Sequence, residues 1–289
     1  VQTFEEFIEQ DLNNELKSNP LLLLDIDCDQ IDNWIILAQH TAPSSVVDKV
    51  NNLPNDLVTE FAFQTLNGAN GTVVNLDYFP VKITTLPNNP ATGTQFTADQ
   101  LLDYFRRNIN LFFEGSTFGP FCQPATDICE QETELWNSDN PTGAVIFIDI
   151  PADDGVVICS EYDNDYWYFM TMDAPGAGNH PVSGTRQFGY ELNPDGSYDF
   201  FVRGVDRFDL NTAENVAYMA DCLFGDCNAF FGADNLWGSF QQKLNDFVND
   251  EDYGGSSTII EPIKNRPDWD DVKDVLEGRE SKSILGCND

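Results

Sequence analysis

Residues 185–204 read TRQFGYELNPDGSYDFFVRG, and this stretch decides the fold class. Its centre, NPDG at 193–196, has the residue types that form tight turns. Apolar and aromatic residues alternate with polar ones on both sides, with the period of two that is typical of half-buried strands. The stretch therefore predicts an antiparallel hairpin, because so short a turn joins neighbouring strands that run in opposite directions.

Three similar runs precede the hairpin. They read GAVIFIDI at 143–150, GVVICSEY at 155–162 and DYWYFMTM at 165–172. The linkers PADDG and DND between them are rich in turn-forming residues. Consecutive strands joined by tight turns form a meander, so the runs together predict an antiparallel β-meander of about five strands.

Helical patterns flank the meander on both sides. Asp29 is predicted to cap one helix, and Thr97 with Gln100 predicts a capping box at the start of another. The segments in which apolar residues recur near every 3.6 positions are 3–18, 29–40, 97–112, 212–224, 235–250 and 266–278.

This order of elements predicts an α+β fold, with N- and C-terminal helices packed over one face of the sheet. We expect a mainly helical N-terminal part at 1–114. An antiparallel sheet with C-terminal helices follows at 115–289, and both parts belong to one continuous globular unit.

The charge balance is extreme, since 14 Lys and Arg stand against 49 Asp and Glu and give a net charge of −35. Such an excess repels nucleic-acid phosphates and anionic membrane surfaces, so direct nucleic-acid binding and membrane insertion are not expected. One explanation is an acidic surface adapted to a salty or extracellular medium. An acidic mimic of nucleic acid remains the alternative.

The acidic run LDIDCDQID at 24–32 resembles a calcium loop but does not match one. Counted from Asp25, an EF-hand needs glycine at the sixth position and glutamate at the twelfth, where this chain has Gln30 and Ile36. Calcium therefore stays a secondary hypothesis, and no cofactor is predicted.

The cysteines predict an oxidising, extracellular compartment. Cys122 with Cys129 and Cys222 with Cys227 are close pairs in acidic surroundings, which favours two local disulfides. Cys159 lies within an apolar run and is expected as a buried thiol. With only two histidines and no CxxC motif, a zinc site is not expected.

The sequence shows neither a signal peptide at its start nor a membrane-spanning segment. The first 19 residues have neither the basic start nor the apolar stretch of a signal peptide, and no apolar run approaches the ~20 residues of a membrane span. Because the chain begins with Val1, we expect a processed product or a fragment of a longer protein.

The candidate site is the loop at 173–186, which precedes the hairpin. His180 could transfer a proton near neutral pH, Ser183 could act as nucleophile or donor, and Arg186 could hold a carboxylate or phosphate. The alternative is a rigid structural loop in which these side chains bind neighbouring carbonyls and acids. GxSxG is absent, so Ser183 does not lie in a nucleophile elbow.

Two further arginines, Arg203 and Arg207, complete the candidate catalytic set. Counting outward from the turn in equal steps places Arg186 opposite Arg203 on the neighbouring strand. Two opposed cations repel each other unless an anion lies between them. That anion is either a ligand group or a protein acid, for which the candidates are Asp173, Glu191 and Asp206.

Three segments resemble parts of large secreted bacterial proteins of the polymorphic-toxin type. They are NHPVSGTRQFGYELNPDGSYDFFVRGVDRF at 179–208, LWGSFQQKLNDFVN at 236–249 and CDQIDNWIILAQHTAPSSVVDKV at 28–50. The resemblance implies an exported bacterial effector or toxin-associated domain with a protein partner or delivery machinery. It assigns no reaction and no catalytic residue. The alternative is a non-enzymatic cargo or protein-interaction module, so whether the chain is an enzyme stays open.

Overall fold

The computed structural model describes residues 26–54, 60–122, 128–150, 153–209 and 230–288. Within this part the chain forms six α-helices, two short 3₁₀ segments and ten strands. The helices are α1 (Ile31–Gln39), α2 (Ser44–Asn51), α3 (Ala98–Arg107), α4 (Cys129–Trp136), α5 (Phe231–Val248) and α6 (Trp269–Leu276). The strands are β1 (Ala62–Phe63), β2 (Val74–Thr85), β3 (Thr117–Pro120), β4 (Val145–Ile150), β5 (Asp153–Tyr162), β6 (Tyr166–Asp173), β7 (Val182–Leu192), β8 (Tyr198–Phe208), β9 (Ser256–Ile259) and β10 (Ile263–Asn265).

All ten strands belong to one antiparallel sheet in the order β10-β2-β8-β7-β6-β5-β4-β3, with β1 paired to β6 and β9 paired to β2. The mixed α+β class is confirmed. The prediction of about five strands is wrong, because β2 and four short strands outside the predicted meander extend the sheet. The sheet also crosses residue 114, since β2 lies beside β8.

Strand β2 accounts for part of the difference between the predicted and the observed number of strands. Its sequence suggests a break at Pro80, yet the strand continues from Val74 to Thr85. Strand β10 pairs with β2 only up to Tyr78 and β9 only from Val81 onward, so Pro80 lies in the gap between these two partners. Its carbonyl faces that gap and accepts from Ile260 N. The N–H that proline lacks therefore removes no ladder hydrogen bond.

Both faces of the sheet are covered. On face one, α3 and α5 pack on Phe79, Phe188 and Val202 in the largest core cluster. On face two, α1 and α6 pack on Leu76 and Phe201, and α2 packs on a third cluster farther along the sheet. The expectation that helices cover only one face is wrong. Both faces of the central strands carry buried apolar residues, as a sheet covered on both sides requires.

The predicted helix starts have mixed outcomes. Thr97 and Gln100 form the capping box as expected. The cap predicted at Asp29 is wrong, because α1 begins after Gln30 and has no side-chain cap. The predicted helices at 3–18 and 212–224 lie outside the described residues.

The described residues contain two disulfides, one local and one between distant parts of the chain. Cys122–Cys129 is present as predicted, and Cys159 is a free, buried thiol whose burial raises its pKa to about 12. The predicted Cys222–Cys227 pair lies outside the described residues. A bond that the sequence analysis did not anticipate, Cys28–Cys287, joins residues 259 positions apart. None of the described helices is long and apolar enough to span a membrane.

The long-range disulfide should stabilise the fold more than the local one. In the chain-entropy model, the closed loop of Cys28–Cys287 is worth about 5 kcal/mol, against about 2–3 kcal/mol for the short loop of Cys122–Cys129. We therefore expect Cys28→Ser/Cys287→Ser to lower the urea midpoint of unfolding more than Cys122→Ser/Cys129→Ser does. The reverse order would contradict a stabilising role for the long loop.

Candidate functional site

The site is organised by Arg186, whose guanidinium crosses a neighbouring strand. Arg186 on β7 is paired in register with Gly204 on β8, and Gly204 is paired with Asp77 on β2. Because Gly204 has no side chain, the guanidinium passes over it and binds Asp77 with two hydrogen bonds of 2.7 and 2.9 Å. A Cβ at Gly204 would lie only 2.3 Å from Arg186 Nη2.

A second row of residues runs parallel to the first. Gly184 on β7, Asp206 on β8 and Asn75 on β2 are in register. Asp206 accepts from Arg186 Nη2 at 2.7 Å, and Asn75 donates to Asp77 at 2.6 Å. The glycine at position 184 allows β7 to lie close to β8, since a Cβ at this position would lie 2.1 Å from Val205 O.

The same network holds α5 on face one. The Arg186 guanidinium stacks on the Trp237 ring of α5, with 4.1 Å between its central carbon and the ring centroid. Arg266 donates to Asn75 from one side and forms an ion pair with Asp234 of α5 on the other. Helix α5 is therefore positioned by two arginines that both contact the sheet network.

The predicted opposition of Arg186 and Arg203 is wrong. Leu192 pairs with Tyr198 rather than with Ser197, so Arg203 faces Gln187 and Arg186 faces Gly204. The turn contains one more residue than the equal count assumes, because Gly196 adopts a left-handed conformation with φ of 84°. A shift of one residue moves a side chain to the opposite face of the sheet.

Arg203 and Arg207 therefore lie on face two, away from Arg186. The Arg203 guanidinium lies over the neighbouring Tyr78 and Phe201 rings, and it donates to Gln187 and Glu191 at 2.9 and 3.1 Å. Arg207 stacks over Trp269 and donates to the backbone carbonyl oxygens of Leu66 and Gly71. Both arginines connect β8 to neighbouring segments.

Ser183 also lies apart from Arg186. Its hydroxyl donates to Asp209 at 3.3 Å, and Gln64 donates to it at 3.4 Å. Ser183 is 1% exposed. Of the five candidate residues, only His180 and Arg186 share a common space, and a catalytic role for the set stays a prediction.

That common space is a cavity of about 440 Å³ between α5 and face one. It lies at the end of the sheet where β6 ends and β7 begins. Its polar end contains His180, Arg186, Asp206 and Thr171. Glu114, Ser116, Thr185 and Asn235 are further polar residues of the wall. Most of the remaining wall is apolar, and it contains Phe118, Ile148, Val157, Phe169, Pro181, Val182, Phe188, Phe208, Phe230, Ala233, Leu236 and Trp237.

His180 is held as a neutral donor. Gln64 accepts from its backbone N–H at 2.8 Å and donates to its carbonyl at 2.9 Å. The Val182 N–H donates to Nδ1 at 3.2 Å, so Nδ1 carries the lone pair and Nε2 carries the proton. Burial lowers the pKa of His180 to about 4, and the positive charge of Arg186 contributes to this shift in the same direction.

The pKa of the carboxyl group at the polar end is shifted in the opposite direction to that of His180. Burial raises the pKa of Asp206 to about 6, and nearby Asp77 adds to this while Arg186 opposes it. In the loop, burial and Asp209 raise the pKa of Asp173 to about 6. At neutral pH the polar end of the cavity therefore presents an uncharged imidazole, a guanidinium and the ionised carboxylate of Asp206.

The second histidine forms a separate cluster on face two. His40 Nε2 lies 2.9 Å from Ser160 Oγ, and Nδ1 lies 3.6 Å from Glu161 Oε2, in the order of a serine-hydrolase triad. Burial lowers the pKa of His40, and Glu161 opposes that shift. Ser160 is completely buried. No substrate carbonyl can reach its hydroxyl in this arrangement, so the cluster is structural.

The sequence analysis missed Asp77 and Trp237, which complete the site. Asp206 was considered only as a partner for the opposed arginines, and Arg186 does bind it. The alternating pattern of β2 could have indicated Asp77, because a carboxylate between Leu76 and Tyr78 in an apolar strand is fully buried and needs a cation. Trp237 lies in the helix predicted at 235–250, where the apolar spacing indicates only a core position.

The described part of the chain contains no group of three or more His, Cys, Asp or Glu side chains arranged to hold a metal ion. No family model matches the chain, and neither a curated protein nor a solved structure is significantly similar to it.

The lowered pKa of His180 predicts a specific loss of stability in acid. Its stabilising contribution is complete above pH 6.5 and is lost as the pH falls toward 4, because the unfolded state then binds the proton first. His180→Asn keeps an acceptor for the Val182 N–H and does not titrate. Between pH 6.5 and 4, the wild type should lose about 3 kcal/mol more free energy of unfolding than this variant.

Urea unfolding of both proteins at the two pH values measures the difference. Protonation of Asp206 and Asp173 changes the free energy of unfolding in the opposite direction. Both residues are present in the wild type and in the variant, so their contributions cancel in the comparison. Parallel losses of stability would contradict the assignment of His180 as a buried, neutral imidazole.

Proposed function

We propose that this protein is a binding module that holds a small, uncharged and mainly apolar molecule in the cavity between α5 and face one. The observation that carries the proposal is the combination of an apolar cavity with one convergent polar end. Its volume of about 440 Å³ lies within the range of roughly 300–1,000 Å³ that is typical of ligand sites.

The polar end supports binding of an uncharged molecule. Asp77 and Asp206 face the single cation Arg186, so the three formal charges sum to −1. An anionic ligand would be repelled by this cluster and by the net charge of −35. A cationic ligand would have to approach Arg186. His180, which is neutral, offers an N–H donor that fixes the orientation of the ligand.

Binding is preferred to catalysis because the elements of a reaction centre are not together. Ser183, Arg203 and Arg207 have partners away from the cavity, and His180 has no nucleophile among the described residues within hydrogen-bond distance. Its lowered pKa also makes it a poor base at neutral pH. The cavity residues can position a ligand without transferring its protons.

The setting of this module is proposed from the resemblance and the cysteines. An exported bacterial domain associated with toxin-type proteins would mature in an oxidising compartment, where the two disulfides persist. A protein partner or delivery machinery would then carry it, and its acidic surface would disfavour nucleic acid. Mass mapping of the disulfides in native, secreted material tests this setting.

The binding proposal is tested with Nile red, a neutral dye whose emission rises and shifts to the blue in apolar surroundings. The protein should bind it saturably with one site. Ala233→Phe adds a ring to the cavity wall and should weaken binding at least tenfold, because it removes the space for the dye.

Gln242→Phe is the matched control, since it adds the same ring at an exposed position of α5. It should leave the dissociation constant within about threefold of the wild-type value. Absence of saturable binding, or an equal effect of the two substitutions, would overturn the proposal.

A further inference from the structure

The polar end of the cavity has hydrogen-bonding capacity that the protein does not use. The Nε2–H of His180 donates to no acceptor among the described residues, although its other nitrogen and its backbone are engaged. This N–H belongs to a residue that lines the cavity and is 7% exposed. A ligand oxygen in the cavity is a partner that could accept from it.

Arg186 adds a second source of donors. A guanidinium has five N–H groups, and three of them are used by Asp77 and Asp206 through the two terminal nitrogens. The Nε–H and one Nη1–H have no acceptor among the described residues. Arg186 lines the same cavity as His180, and its charge lowers the pKa of that imidazole. Both donors therefore belong to residues that line the same cavity.

Asp206 supplies an acceptor beside these donors. Its Oδ2 accepts from Arg186 at 2.7 Å, whereas the Asn75 amide lies at 3.4 and 3.5 Å from the two carboxylate oxygens. The carboxylate therefore keeps lone pairs for a further donor, and Asp206 lines the cavity. Its raised pKa is about 6, so at pH 7.5 it is ionised and can only accept.

We propose that the ligand held in this cavity carries a carboxamide or lactam group, whose carbonyl oxygen accepts from His180 and Arg186 and whose N–H donates to Asp206. The inference rests on the proposed binding function and specifies its ligand class. An amide is uncharged, presents a donor and an acceptor side by side, and leaves the rest of the ligand free to be apolar. A ketone or ester of the same shape would leave the Asp206 carboxylate without its donor.

The test uses two probes of the same shape, N-hexylbenzamide and octanophenone, which differ only in the replacement of N–H by CH₂. Each is titrated against protein loaded with Nile red at pH 7.5, and displacement gives its dissociation constant. The amide should bind about tenfold more tightly than the ketone, as expected for a hydrogen bond to a charged acceptor.

Two variants separate the roles of the polar residues. Asp206→Leu should reduce the preference for the amide over the ketone from about tenfold to no more than about twofold, because it removes the acceptor of the amide N–H. His180→Asn should weaken both probes by a similar factor of about five to ten, because it removes a donor to the carbonyl that they share. Heptanoate, an anion, should fail to displace the dye from any of the proteins.

The outcomes distinguish the inference from the function on which it depends. If Nile red binds and both probes displace it equally well from the wild type, the amide inference is wrong and the binding function stands. If the dye does not bind, the binding function itself fails. If Asp206→Leu does not fold, the ratio of the dissociation constants of the two probes for the wild type still tests the amide inference.

Discussion

The fold and its cavity depend on the ion pair between Arg186 and Asp77, made across Gly204. Both charges are buried, with side chains 12% and 0% exposed, and neither is stable there without the other. The glycine between them allows a bond that spans three strands. This bond fixes the register of β2, β8 and β7, because a shift by one residue would bury an unpaired charge on each side.

The same guanidinium determines what face one can bind. By stacking on Trp237 it places α5 above the sheet, and the space left between them is the cavity. By binding both Asp77 and Asp206 it reduces the formal charge of the cluster from −2 to −1. What remains available to a ligand is a set of oriented donors and one carboxylate, surrounded by aromatic walls. Structure and binding capacity thus arise from one interaction.

Local features of this fold could be predicted from the sequence because they depend on neighbouring residues. The hairpin around 193–196, the capping box at Thr97 and the Cys122–Cys129 bond are all of this kind. The acids near the hairpin were also identified, since Asp206 binds Arg186 and Glu191 binds Arg203. In each of these contacts the two residues lie no more than 20 positions apart in the sequence.

The features that could not be predicted depend on geometry or on distant contacts. Gly196 adds one residue to the turn, and this single residue moves Arg203 to the face opposite Arg186. Asp77 lies 109 positions before its partner Arg186, and Cys28 lies 259 positions before Cys287. No local pattern links such residues, and the cavity exists only once α5 has docked.

The most direct test of this account is the free energy of unfolding of Gly204→Ala, measured with and without Arg186→Met. In the wild-type background the added methyl group should displace the guanidinium from Asp77 and cost about 2–4 kcal/mol. Gly119→Ala, on a strand where a Cβ meets nothing within 4 Å, should cost less than about 0.5 kcal/mol. In the Arg186→Met background most of the Gly204→Ala cost should disappear. An equal cost in both backgrounds would contradict the account.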